Sequence, residues 1–143
     1  GMPIGAFTAS HKLMSLLSDN PKLGHITTFG GHPVIAATAL KTLEILTQTQ
    51  IIENVNQKEQ QFRHLLKHPL IKEIRGKGLM LALMMTTDNI ANELVLKAKE
   101  QNLILFWLLY EKRAVRLTPP LTISTEDIEK GCGIILGILD ELF

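Results

Sequence analysis

The sequence predicts an α/β chain whose C-terminal part is a small α+β domain, and three observations predict it. Apolar residues recur at helical spacing from Pro33 onward, at Ala36, Ala37, Leu40, Leu43 and Leu46. Leu79 to Thr86 is a nearly continuous apolar run of strand length, the pattern of a strand covered on both faces. Ser124 with Asp127 three residues on is a capping box ahead of an apolar-periodic segment, so the chain closes on a helix.

Each element follows in order. Residues 4–9 suit a short buried strand, and Ser10 caps a brief helix through Leu17, stopped by the polar Ser18 to Asn20 and by Pro21. Residues 18–32 read as a glycine-rich polar loop. Pro33 is well placed in a first helical turn. The helical pattern weakens over Thr47 to Gln50 and resumes at Ile52, Val55, Glu59, Phe62 and Leu66. One long helix is expected over 33–68, bent near residue 50 and ending before Pro69, because the residue ahead of a proline avoids the helical region.

Four strand candidates follow: Leu70 to Arg75, Leu79 to Thr86, Leu103 to Tyr110 and Ala114 to Leu117. The last two are joined as a hairpin by the polar turn Glu111 to Arg113. Between the second and third strands, Thr87, Asp88 or Asn89 caps a helix with Ile90, Leu94 and Ala98 on one face, ended by Asn102. Pro119 and Pro120 forbid continuation of the ladder. The last helix presents Ile128, Cys132, Ile135, Leu136, Leu139 and Leu142. Gly131, Gly133 and Gly137 each cost it about 1 kcal/mol against alanine, so tertiary packing must hold it. The chain thus divides into residues 1–32, a connecting helix over 33–68 and a small domain over 69–143.

Bulk composition narrows the function. The 143 residues are 45% hydrophobic and 20% charged with net charge +1, so neither nucleic acid nor an anionic membrane is implied as a partner. A single cysteine, Cys132, excludes an internal disulfide and fits a reducing cytoplasm. No apolar run reaches the ~18 residues that cross a bilayer.

Few residues invite chemistry. Thr27 and Thr28, followed by Phe29, Gly30, Gly31 and His32, lie in a turn from Gly24 to Pro33 that opens a helix. There, hydroxyls and unbonded N–H groups can hold an anion. Taken alone, such a turn is more often just a loop that needs glycine dihedrals. Arg116 ends an apolar strand ahead of a proline-rich loop, where it can fork onto a carboxylate or stand in solvent. Gly76 and Gly78 flank Lys77 without a following helix, which fits a turn into a sheet better than a dinucleotide fingerprint. His64 and His68, four apart, have no third metal ligand near in sequence and read as solvated helix-end histidines. Cys132, Trp107 and Tyr110 read as core or interface residues.

Four blocks in order, Met2 to Ser10, Gly24 to Pro33, Ile74 to Leu79 and Val115 to Ile123, resemble the C-terminal part of class III pyridoxal-phosphate aminotransferases, the ornithine, acetylornithine and 4-aminobutyrate aminotransferases. The resemblance covers Met2 to Phe143. It implies the aspartate-aminotransferase-like fold: the tail of a large cofactor domain, an interdomain helix and a small domain with a mixed sheet of about four strands packed by two helices. It implies that Thr28, with Thr27, reaches the phosphate of pyridoxal 5'-phosphate across a dimer interface, and that Arg116 lies near the substrate carboxylate. His32 stands where many members carry Asn.

The family's catalytic lysine, which carries the cofactor as a Schiff base, precedes the Met2 block. Lys72, Lys77, Lys97 and Lys99 do not match its pattern. The resemblance therefore implies an inactive C-terminal portion with no catalytic residue and no covalently held cofactor, from an enzyme moving an amino group from an amine or amino acid to a 2-oxo acid. It would self-associate through residues 1–35 or meet a separate N-terminal chain. The alternative is a free-standing binding or oligomerisation module.

Overall fold

A computed structural model describes residues 1–18, 20–22 and 25–143, so Asp19, Leu23 and Gly24 of the predicted loop lie outside the described residues. The chain forms two compact units, Gly1–Thr49 and Gln50–Phe143.

In the first unit, α1 (His11–Met14) runs into a single 3-10 turn, and α2 (Pro33–Gln48) follows the loop. Ser10 sits at the N-cap of α1 in extended conformation, but only its carbonyl is used, accepting from Leu13 and Met14 N–H at 3.0 Å each. The strand expected over 4–9 does not form. Those residues are exposed coil, because a strand needs a neighbouring ladder for its N–H and C=O groups and the described residues of this unit include no other strand. No residue of α2 is buried, and Phe7, Leu16, Phe29 and Leu40 are largely exposed.

The expected long helix is two helices. Hydroxyls of Thr38, Thr42, Thr47 and Thr49 bond back to carbonyls four residues earlier. This local competition, together with the loss of an apolar face after Leu46, ends α2 at Gln48. Turns then lead to α3 (Val55–Leu65), which stops before Pro69 as expected.

The second unit holds a four-stranded sheet made of β1 (Ile71–Lys77), β2 (Met80–Met85), β3 (Phe106–Trp107) and β4 (Ala114–Leu117), in the order β1-β2-β4-β3. Every pairing is antiparallel, where a mixed sheet was expected. β1–β2 and β3–β4 are hairpins, and α4 carries the chain back so that β3 runs parallel to β2, with β4 inserted antiparallel between them. α4 (Asp88–Glu100) and α5 (Thr125–Leu142) cover one face, with α3 against α5. Leu81, Leu83 and Met85 of β2 and Val115 of β4 meet Leu94, Ile128, Cys132, Ile135 and Leu139 in the core, all fully buried.

Caps fix the two covering helices. Thr87 Oγ1 accepts from Ile90 N–H at 3.2 Å. Ser124 Oγ accepts from Asp127 N–H and donates to Asp127 Oδ2, both at 3.0 Å. At the end of α4, Asn102 adopts φ 61°, with its N–H on Lys99 C=O at 3.1 Å and Leu103 N–H on Ala98 C=O at 2.9 Å, a Schellman closure.

The β1–β2 turn requires glycine. Gly76 has φ 110°, and a Cβ there would lie 2.0 Å from Met80 O; Gly78 takes φ 60° at the first central position of the two-residue turn. β3 is much shorter than expected. Tyr110 is 100% exposed and Trp107 46%, so neither belongs to the core.

Candidate functional site

The first candidate lies in the N-terminal unit, where residues 27–31 bring the chain into α2. Gly30 N–H donates to Thr27 C=O at 3.2 Å and His32 N–H to Phe29 C=O at 3.1 Å, closing two successive turns. Gly31 takes φ 68°, the left-handed region that glycine occupies without strain. At Gly30 a Cβ would stand 2.7 Å from Thr27 Oγ1, so only glycine leaves that hydroxyl its place.

Thr27 and Thr28 are exposed, and with Gly30, Gly31 and His32 they line a cleft closed on its other side by Pro3, Ile4 and Gly5. α2 starts at Pro33, which has no N–H, and no side chain caps it. Its first-turn N–H groups therefore have no capping side chain, and the positive end of the helix dipole points outward. Hydroxyls, open amides and a dipole of this sign form a donor set suited to a phosphate. The residues present fit such a group. His32 Nδ1 is buried without a hydrogen-bond partner, and its ring lies tilted 6.3 Å from that of Phe29.

Arg116, the other predicted site residue, belongs to the second unit and sits on β4 opposite Ala82 of β2 and Phe106 of β3. Strand parity puts it on the face away from the helices, since its neighbours Val115 and Leu117 are buried against them. Its guanidinium lies 4.8 Å from the Phe106 ring centroid, a cation–π contact. Among the described residues it makes no ion pair. It lines a cleft over the open face with Met80, Ala82, Met84, Leu108 and Glu111. A guanidinium anchored through an aromatic ring, with its N–H donors unspent, can take a substrate carboxylate bidentately. Thr27 and Thr28 thus stand in one unit and Arg116 in the other.

His64 and His68 do not share a helix face, because α3 ends at Leu65 between them. His68 Nδ1 accepts from Leu70 N–H at 3.1 Å, which leaves Nε2 to donate to Asp140 Oδ1 at 3.2 Å. Among the described residues no three His, Cys, Asp or Glu side chains are grouped as a metal ion would need. Cys132 is buried in the core, and burial pushes its thiol up to about 12. Among the described residues no helix is long and apolar enough to cross a membrane.

One constellation escaped the sequence reading. Glu59, the buried charged residue of α3, accepts from Arg63 Nε at 2.9 Å and from Gly78 N–H at 2.6 Å. Arg63 also donates to Ile74 C=O at 2.7 Å and Gly76 C=O at 2.9 Å, so the pair clamps the β1–β2 turn to α3. The Arg63 hydrogen bond, then the Gly78 amide, hold the Glu59 carboxyl below its ordinary 4.5. The signal was a carboxylate in an apolar helical series with an arginine four residues on.

Against known proteins, a family model described as aminotransferase class-III matches residues 1–139. The ornithine aminotransferase of Toxoplasma gondii is 31% identical over 87% of this chain and 31% of its own, with TM-score 0.73. A Bacillus anthracis aminotransferase is 28% identical over 92% of this chain and 34% of its own, with TM-score 0.75. The N-acetylornithine aminotransferase of Stenotrophomonas maltophilia shares the fold at 24% identity, over 78% of this chain and 32% of its own, with TM-score 0.69. The chain spans about a third of the length of these structures.

Proposed function

The chain belongs to the class III aminotransferases, and from that premise we propose that it is the C-terminal portion of an enzyme moving an amino group from an amine or amino acid to a 2-oxo acid. The observation that carries this reading is the Thr27–Gly31 turn, a phosphate-sized donor set at an uncapped helix start in a chain of this family. Thr28 and Thr27 hold the phosphate of pyridoxal 5'-phosphate, and Arg116 orients the substrate by its carboxylate. The bound cofactor supplies the electron sink that makes the amino-bearing carbon acidic.

These residues bind and orient; the amine that joins the cofactor comes from elsewhere in the enzyme. No lysine lines the cleft beside Thr28 among the described residues, and Lys41 of α2 is paired with Glu44 at 3.1 Å. The 143 residues alone are therefore expected to be inactive. Titrating them with pyridoxal 5'-phosphate should give no stoichiometric visible band. A stoichiometric band abolished by substituting a single lysine would overturn the reading.

The exposed apolar residues of the first unit support a second part of the proposal. A helix of sixteen residues with none buried is not a stable end state in water. With no strand over 4–9 to pair, the exposed apolar side chains carry self-association instead. In the cytoplasm, where a single buried thiol is at home, a second copy or the rest of the enzyme covers them. Sedimentation of the chain at micromolar concentration should show species larger than a monomer, and a strictly monomeric boundary would refute this.

A further inference from the structure

His32 is the part of the turn that the family reading leaves unused. Its Nδ1 is shut away from solvent with no partner. A buried polar atom left in that state is costly, and such atoms in a folded protein call for an explanation. Capping does not supply one: His32 occupies the N-cap of α2, yet its side chain takes none of the helix's N–H groups. The ring stands beside Phe29 and lines the cleft that holds Thr27, Thr28, Gly30 and Gly31. The torsion that turns a histidine ring about its Cβ–Cγ bond is soft, so the ring can present a nitrogen to a group entering that cleft.

We propose that His32 is a third side chain of the phosphate cradle, its imidazole hydrogen-bonding a phosphate oxygen when the cofactor is seated. The proposal rests on the assignment of the Thr27–Gly31 turn to that phosphate. An oxygen-rich anion is the partner that a buried ring nitrogen beside two hydroxyls and an open helix end would meet, since the helix end presents only N–H donors and both hydroxyls can donate as well. His32 binds here and takes no part in the chemical steps.

Inorganic phosphate is the direct probe, with pyridoxal lacking the phosphate as control. In the whole enzyme freed of cofactor, the Kd of each would be measured by calorimetry for wild type, His32→Ala, His32→Phe and Thr28→Val. His32→Phe preserves ring volume and the contact with Phe29, which covers the event that the alanine variant folds poorly. Loss of one charge-assisted hydrogen bond should loosen phosphate about tenfold in both His32 variants and leave pyridoxal unchanged. If Thr28→Val loosens phosphate while both His32 variants match wild type, the role of His32 is overturned and the cradle stands. If none of the three variants alters phosphate binding, the cradle falls, and His32 with it. Equal weakening of phosphate and pyridoxal with a lowered melting temperature would make His32 merely structural and also overturn the proposal.

Discussion

Glu59→Ala is expected to lower the unfolding free energy of the second unit by about 2 kcal/mol, because it strips a part-buried ion pair of one partner and leaves the Gly78 N–H unbonded. That is a large share of the roughly 5–15 kcal/mol by which domains are stable. A urea midpoint shift at constant slope would measure it. Glu59→Gln keeps an acceptor for Gly78 and should lose less. The double variant with Arg63→Ala should cost less than the two single losses added, since both remove the same contact. The pH dependence has a definite sign. The folded-state carboxyl titrates below the ordinary 4.5, so the clamp's contribution is complete above that value and fades as pH falls through the lower folded one. Wild type should lose stability on acidification below about pH 4.5 more steeply than Glu59→Gln. Parallel curves for the two proteins would show that the clamp does not carry this effect.

Arg116→Ala in the whole enzyme should lower kcat/KM for carboxylate-bearing amino donors by ten- to a hundredfold, about 1.5–3 kcal/mol for a charged hydrogen-bonded pair. The loss should fall chiefly on KM. Arg116→Lys should recover little, because an ammonium lacks the planar fork and stacks poorly on Phe106. An amine donor without a carboxylate should lose much less in either variant. Equal losses on both kinds of donor would remove Arg116 from substrate recognition.

The second unit was largely legible from the residues. β4 appears with the bounds read for it, and α4 and α5 begin at the caps Thr87 and Ser124, because these signals are local: a hydroxyl reaching an N–H three residues on depends on nothing distant. Failures arose where structure depends on distant partners. Residues 4–9 have the composition of a strand, but a strand exists only beside another. Leu103 to Tyr110 reads as eight strand residues, yet only Phe106 and Trp107 form strand, paired with Arg116 and Val115, and Leu108 adds a single N–H bond to Ala114 C=O. Glu59 was placed on the inward face of its helix by spacing alone; its partner Arg63 lies one turn on along that helix, but the Gly78 amide belongs to a turn that the sequence does not bring near. Of the candidate site, Thr27, Thr28 and Arg116 could be named as candidates from the residues; what sequence could not supply was the ring of Phe106 beneath Arg116 and the stranded nitrogen of His32.

The order β1-β2-β4-β3 leaves the sheet with two unlike borders. β1 carries Lys72, Glu73, Arg75 and Lys77 and has an irregular register between Ile71 and Glu73, features that repel a foreign strand. β3 sits in Ile104 to Tyr110, seven residues without a charge, most of them open to solvent. Fibrillar or amorphous growth would therefore be directional: recruits would dock at the β3 border and be turned away at the β1 border.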